Sequence, residues 1–272
     1  MKKQKIYSLA VAICMTATVN AQMGGISSKM LGEIQKQNKM TPAENAIANA
    51  IAANSIDNLA QNRNNAAELD TYFSVETPKQ AITDQKSSGR CWMFSGMNVL
   101  RANFAKRTDS LRVEFSQAYL FFYDQLEKAN LFLQGVIDTG KKPIDDQRVQ
   151  FFFKNPINDG GTFCGVADLT EKYGLVPKQV MPESYSSDNT SKMARLISSR
   201  LREDGLILRK MVAEGKKASD IEKAKTEMLA TVYRMLALTI GEPPAQFTYA
   251  HRNKDGKAVG EPKTYTPQEC FK

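Results

Sequence analysis

The sequence predicts an α+β fold in which several helices precede the first β-strands. Apolar residues recur at helical spacing after Cys91, and Met93 and Met97 are the first of them. Residues 191–240 contain no proline and keep the same helical period. Near the C-terminus the pattern changes to strict alternation, which is typical of strands. With 42% hydrophobic residues, the 272-residue chain has enough apolar side chains for a buried core.

The N-terminus has the pattern of an export signal. Residues 6–19 form an apolar run after a cationic start, and small side chains follow within residues 19–21. The run is too short to span a bilayer. We therefore expect residues 1–21 to be a signal peptide that is cleaved near Ala21, so that the protein is exported (periplasmic or secreted). An uncleaved amphipathic helix and lipidation at Cys14 are the alternatives.

Residues 22–70 are predicted to form a partly helical N-terminal arm. Thr41 offers an N-cap, Pro42 occupies the first helical position, and Glu44 is placed to close a capping box. The composition leaves two alternatives open: an arm packed against the main body, or a flexible leader.

Residues 71–190 are predicted to form a helical domain. Cys91 opens its first buried helix, and Ser116 is the N-cap of a second, longer one. A turn-rich loop follows at residues 155–161, and the next helix is expected to stop at Gly174.

Residues 191–242 are predicted to form a helical hairpin with a basic outer side. Within residues 191–240, eleven lysines and arginines stand against six acidic residues. Ser219 and Glu222 have the spacing of a capping box at the start of the second helix. The pattern therefore indicates two amphipathic helices that share one apolar face.

Residues 243–272 are predicted to begin a β domain. Phe247, Tyr249 and His251 alternate along the first strand, and an Asp-Gly pair at residues 255–256 predicts a turn into a return strand.

Residues 84–95 have the sequence Asp-Gln-Lys-Ser-Ser-Gly-Arg-Cys-Trp-Met-Phe-Ser and carry the chemistry. A thiol attacks a carbonyl as the thiolate, and the start of a helix stabilises that anion at Cys91 through unpaired N–H groups and the helix dipole. Gly89 permits the tight backbone turn that exposes the sulfur. Gln85 can direct its amide N–H to the same place, where it would bind a developing oxyanion together with the Cys91 N–H.

Gln85, Gly89, Cys91 and Trp92 together resemble the nucleophile signature of papain-like cysteine peptidases. The sequence of residues 85–92 is most similar to the bleomycin hydrolase (aminopeptidase C) branch of that family. Further segments similar to this branch are residues 115–122, 159–161, 171–177 and 181–184.

The resemblance implies a papain-like fold with the helical (left) domain and a helical insertion present, and with the β-barrel (right) domain only begun before the chain ends. It implies that Cys91 is the acylated nucleophile and Gln85 the oxyanion-hole donor. The substrate-binding residues that it implies are Gly89, Trp92, Asp159, Gly160 and Gly161. Members of the family act on peptide substrates as aminopeptidases, use no metal or organic cofactor, and assemble into hexameric rings.

The sequence departs from the family in its proton-transfer residues. The family takes a histidine and an orienting asparagine from the β domain, whereas His251 is the single histidine here. Asn253 is too close to His251 to be its usual partner. We therefore expect a truncated chain that lacks both residues and is a poor enzyme as it stands, and the alternative is that His251 is the base. Whether Lys272 is a natural terminus stays open.

Two non-enzymatic hypotheses stay open beside the peptidase. One is nucleic-acid binding through the basic hairpin, although a solvated surface or a subunit contact explains such a hairpin more simply. The other is an inert fragment that still folds or oligomerises. The exported chain would keep Cys91, Cys164 and Cys270, of which the last two could pair or all three could be free.

Overall fold

The structure is a computed structural model, and it describes residues 25–67, 70, 72–77, 80–108, 111–253 and 255–271. The predicted signal peptide at residues 1–21, with Cys14, lies outside these residues. The chain divides into two compact units, of which one ends at Ser74 and the other runs from Val75 to Lys272. This division falls close to the predicted end of the N-terminal arm at residue 70.

The described part of the first unit consists of short helices. They are α1 (Ser28–Gln37), α2 (Pro42–Ala53), α3 (Ile56–Leu59) and α4 (Arg63–Ala67). The predicted capping box at the start of α2 is confirmed. The Thr41 hydroxyl oxygen accepts from the Glu44 N–H at 3.2 Å, and the Glu44 carboxylate accepts from the Thr41 N–H at 2.7 Å. The two bonds satisfy amides that the helix leaves unpaired.

The second unit begins with five described helices, and the sequence predicted the first, second and fourth of them. They are α5 (Cys91–Arg107), α6 (Gln117–Asp138), α7 (Gln147–Lys154), α8 (Phe163–Tyr173) and α9 (Tyr185–Asp188). Cys91 is the first residue of α5, as predicted. Ser116 caps α6 by accepting from the Tyr119 N–H at 3.0 Å. Gly174 ends α8 with a φ of 77°, a backbone conformation that favours glycine.

Helix α6 lies at the centre of the hydrophobic core. It packs against α5 and α8, and it also packs against the two helices of the predicted helical hairpin, which are described below. Its fully buried side chains include Leu120, Phe121, Phe122 and Leu133. Burial of each such side chain contributes roughly 1.5–3 kcal/mol. The core therefore holds α5, and with it Cys91, on a rigid support.

The helical hairpin predicted from the proline-free stretch is confirmed as α10 (Thr190–Ala213) and α11 (Ala218–Thr239). Both helices pack on α6 through an apolar face. The capping box predicted at Ser219 is wrong, because α11 begins at Ala218 with Lys217 as its N-cap. Ser219 is thus already inside the first turn, where its side chain cannot cap the helix.

A β-hairpin follows, as predicted, with strands β1 (Phe247–Arg252) and β2 (Ala258–Tyr265) paired antiparallel. The register shifts between Tyr249 and His251, so the alternation of the first strand is not strict. Phe247 and Tyr249 are buried, whereas His251 is half-buried. A short helix that the sequence did not predict, α12 (Pro267–Phe271), comes next and packs against α8.

Candidate active site around Cys91

Cys91 lies exposed at the first turn of α5. The N–H groups of Met93 and Phe94 donate to the Arg90 carbonyl at 2.9 and 3.0 Å, and no side chain caps the helix at Arg90. The N–H groups of Cys91 and Trp92, the first two of the helix, have no acceptor within it and lie next to the sulfur. Such a position stabilises a thiolate.

Gln85 is half-buried in the loop that leads to α5. Its Nε2 donates to the Ser88 carbonyl at 2.6 Å, and the Ser88 hydroxyl donates to the Gln85 carbonyl at 2.6 Å. A side-chain amide has two N–H donors, so one remains for an oxyanion. Among the described contacts none joins Gln85 directly to Cys91, and its oxyanion role stays a prediction.

Asp159 connects the residues on both sides of Cys91. Its Oδ2 accepts from the Gly89 N–H at 2.9 Å, and its main-chain carbonyl accepts from the Trp92 Nε1–H at 2.7 Å. The Thr190 hydroxyl, at the start of α10, donates to the same Oδ2. Four of the five predicted substrate-binding residues are thus brought together, because Gly161 also packs against the Trp92 ring.

The two glycines after Asp159 have different surroundings. A Cβ placed on Gly161 would lie 2.5 Å from Cε2 of Trp92, so this glycine makes room for the indole of its own chain. A Cβ on Gly160 would meet only Asn158 Oδ1, at 3.3 Å. Gly160 is therefore the position of this pair that leaves space for a substrate backbone. We name residues 158–161 the glycine loop.

Lys128 holds the glycine loop from the side of α6. Its ammonium group donates to the carbonyls of Asn158 and Gly160 at 2.8 and 2.7 Å and pairs with Asp124 at 2.8 Å. It also lies 5.6 Å from the centroid of the Trp92 ring. Burial raises the pKa of the Asp124 carboxyl, and the adjacent ammonium opposes that rise. The sequence contained no signal for this lysine, because its partners are mostly main-chain atoms.

Arg90 forms a buried ion pair that the sequence did not reveal. Its guanidinium is fully buried and donates to both Glu183 carboxylate oxygens, at 2.9 and 3.1 Å, and to the Ser88 hydroxyl at 3.0 Å. The rings of Phe94 and Phe121 lie 5.0 and 5.1 Å away. A buried arginine needs such partners, since an unpaired buried charge is strongly destabilising. The pair therefore holds the backbone that leads into α5.

Comparison with known proteins identifies the family. The sequence profile of the Peptidase C1-like family matches residues 25–272. The chain belongs to this family. The match includes the residues around Cys91, the glycine loop, the helical hairpin and the β-hairpin. The α+β architecture described above is therefore that of a Peptidase C1-like protein.

Two named relatives and one solved structure are similar to this Peptidase C1-like chain over most of its length. Aminopeptidase C of Lactobacillus delbrueckii subsp. lactis is 41% identical over 85% of this chain and 51% of its own length. Human bleomycin hydrolase is 38% identical over 74% of this chain and 45% of its own. The crystal structure of PepW from Lactobacillus rhamnosis superposes with a TM-score of 0.81 at 38% identity, over 91% of this chain and 55% of that one. The chain spans about half the length of these relatives.

His251 lies at the opposite end of α5 from Cys91. Its ring stacks on Phe104 with the centroids 5.8 Å apart. At 1.5 Å per residue, Phe104 is about 20 Å along the helix axis from Cys91. The structure therefore argues against the hypothesis that His251 is the base of this Peptidase C1-like chain.

The three described thiols differ in exposure. Cys91 and Cys164 are exposed and Cys270 is half-buried, and all three are free. Burial raises the pKa of the Cys270 thiol to about 11. We expect iodoacetamide at pH 8 to leave Cys270 unmodified in the folded protein, because only about 10⁻³ of such a thiol is ionised. Peptide mass spectrometry before and after unfolding checks this, and labelling of Cys270 as fast as Cys164 in the folded protein would contradict it.

Several arginine and lysine side chains of the basic hairpin form contacts within the protein. Arg202 donates to the last carbonyls of α7 at 2.8 and 3.0 Å, and Arg209 donates to the Thr139 carbonyl at 3.0 Å. Arg200 pairs with a buried aspartate of α10, and Lys225 donates to a glutamine of α6 at 2.9 Å. These cations satisfy helix ends and buried groups. Their roles weaken the hypothesis of a nucleic-acid surface on this hairpin.

Two features are absent from the part of the chain that the structure describes. No helix there has the length and apolar character needed to cross a membrane. No group of three or more potential metal ligands occurs among the same residues.

Proposed function

We propose that this chain carries the nucleophile of a papain-like cysteine aminopeptidase. The observation that carries the proposal is the exposed Cys91 at the N-terminus of α5, flanked by two residues that are bonded to Asp159 of the glycine loop. A peptide backbone lying along Gly160 would bring a carbonyl carbon close to the sulfur. The names of the relatives, aminopeptidase C and bleomycin hydrolase, support this substrate class.

In the proposed reaction the Cys91 thiolate attacks the carbonyl carbon of the first peptide bond, and the C=O electrons move to the oxygen. The Cys91 N–H and the second N–H of Gln85 stabilise the resulting oxyanion. Collapse of the intermediate breaks the C–N bond, the leaving amine takes a proton, and a thioester to Cys91 remains. Water then hydrolyses the thioester and releases the amino acid.

The proton carrier in this proposal is a histidine of the full-length protein outside residues 1–272. Two observations support it: His251 contacts Phe104 at the far end of α5, and the chain spans only about half the length of the relatives it matches. Loss of general acid–base catalysis typically costs about 10²–10⁴-fold in rate. Residues 1–272 alone are therefore expected to be a poor peptidase.

We extend the proposal to export and to self-association. The cationic and apolar pattern of residues 1–21 supports export. The apolar side chains of Leu196, Leu206 and Ile207 are exposed on α10, where a contact with another copy could bury them. The hexameric ring implied by the family resemblance is the arrangement we propose.

Competitive alkylation of the full-length protein tests the proposed function. Cys164 is a matched control, because it is also exposed and also lies in the first turn of a helix, α8. We expect iodoacetamide near pH 7 to label Cys91 at least roughly tenfold faster than Cys164, since an activated thiolate reacts where a resting thiol does not. Equal labelling rates for the two cysteines would overturn the proposed function.

A further inference from the structure

We propose that Asp159 is a positioning residue for Cys91 and does not itself contact the substrate. The proposal rests on the proposed function of Cys91 and changes the role that the family resemblance implied for Asp159. It makes one residue, through its carboxylate and its main-chain carbonyl, responsible for the place of the nucleophile at the start of α5.

The Asp159 carboxylate is occupied by the protein itself. Its Oδ2 accepts from the Gly89 N–H at 2.9 Å and from the Thr190 hydroxyl. Both bonds are charge-assisted, which makes them shorter and stronger than bonds between neutral groups. No side chain caps α5 at Arg90, and the carboxylate instead holds the amide of Gly89, the residue just before the N-cap.

Asp159 contacts the chain on both sides of the nucleophile. The Gly89 amide precedes Cys91, and the Trp92 indole, which donates to the Asp159 carbonyl at 2.7 Å, follows it. A rotation of the first turn of α5 would break one of these bonds. Asp159 therefore restricts the orientation of the Cys91 sulfur although it does not touch it.

The contact between Asp159 and Gly89 leaves no spare room. A Cβ on Gly89 would lie 2.8 Å from the Asp159 Cβ, a distance that real Cβ atoms do not adopt. The φ of Gly89 is not positive, so the glycine is needed for this approach and not for a left-handed turn. The close packing is what a positioning contact requires and what a substrate-binding carboxylate would not need.

The loss of charge and the loss of positioning predict opposite effects of Asp159→Ala on the alkylation rate of Cys91. The substitution removes a negative charge near Cys91, which by itself would favour the thiolate and speed its alkylation. It also leaves the Gly89 N–H and the Thr190 hydroxyl without their acceptor, which frees the start of α5. A displacement of about 1 Å in an active site can cost on the order of 10²-fold in rate.

We expect Asp159→Ala to lower the Cys91 to Cys164 alkylation ratio of the full-length protein by about tenfold. Asp159→Asn keeps an oxygen that can accept both bonds, and we expect it to restore the ratio to within about threefold of the wild type. The exposed Asp220→Ala at the start of α11 is the charge-matched control and should leave the ratio unchanged, because Asp220 is on neither cysteine's helix. Hydrolysis should show a lower kcat with little change in KM for Asp159→Ala.

Gly89→Ala is a second variant that keeps the carboxylate but forces it away. We expect it to lower the alkylation ratio in the same direction, so the proposal can be judged even if Asp159→Ala does not fold. An unchanged ratio in Asp159→Ala or in Gly89→Ala overturns the proposal. Equal losses in Asp159→Ala and Asp159→Asn, with a raised KM, also overturn it, because they indicate direct contact with the substrate.

If the proposed function is wrong, the Cys91 to Cys164 alkylation ratio of the wild type is near one, because Cys91 is then no more reactive than Cys164. Failure of the positioning role gives a high wild-type ratio that Asp159→Ala does not change. The two failures are therefore distinguished within one set of labelling measurements.

Discussion

Replacement of Cys91 by serine is expected to lower the hydrolysis of aminoacyl amides by the full-length protein by about 10³-fold or more. A serine hydroxyl is a much weaker nucleophile than a cysteine thiol, so the nucleophile is lost while the shape of the side chain is kept. Because Cys91 is exposed, the substitution should leave the unfolding transition unchanged. Initial rates with aminoacyl amides that have a free N-terminus measure the effect.

Cys164→Ser is the matched control for this experiment. Cys164 is exposed on α8, as Cys91 is on α5, and we expect its substitution to keep the rate within about twofold of the wild type. N-acetylated substrates test the aminopeptidase class in the same assay and should be cleaved far more slowly than free ones. A Cys91→Ser protein that keeps its rate would refute the nucleophile, and equal cleavage of blocked substrates would refute an aminopeptidase.

Local signals in the sequence predicted the helices well. Cys91 opens α5, Ser116 caps α6 and Gly174 ends α8, because capping and chain reversal depend on a few neighbouring residues. The error at Ser219 has the same origin. Ser219 and Glu222 have capping-box spacing, but the helix already begins at Ala218 with Lys217 as its N-cap, so the local spacing did not identify the boundary.

Contacts between distant residues of the site were not predictable. The family signature placed Gly89, Trp92 and Asp159 in one site, but their hydrogen bonds depend on the packing of α5 against α8 and the glycine loop. The Arg90 and Glu183 pair joins residues far apart in the chain, and a charged residue is expected at the surface unless a partner is known. Sequence patterns identify types of side chain, whereas these contacts depend on tertiary geometry.

Gly161 is another residue whose contact the sequence did not identify. The sequence predicted a glycine that lets a substrate backbone approach, and the structure places the Trp92 indole where its Cβ would be. Of the pair, only Gly160 keeps space toward the solvent. A glycine pattern therefore indicates a close approach but does not identify which group approaches.

Replacement of Gly174 by alanine is expected to lower the free energy of unfolding by about 3 kcal/mol or more. Its φ of 77° is unfavourable for alanine, and a Cβ would lie 2.2 Å from the carbonyl carbon and oxygen of Pro267. These are backbone atoms that cannot rotate away, so α12 would have to move. The displacement would also break the bond of 2.9 Å between the Leu175 N–H and the Pro267 carbonyl.

Gly215→Ala separates the two causes of this loss. Gly215 has a similar φ of 71°, but nothing lies within 4 Å of its Cβ position. We expect it to cost only the conformational part, about 1–2 kcal/mol. Urea unfolding measured by fluorescence of Trp92, the single tryptophan of residues 1–272, gives both values. In Gly174→Ala the displaced α12 should also make Cys270 reactive toward iodoacetamide, whereas equal destabilisation by the two substitutions would show that the contact with Pro267 contributes nothing.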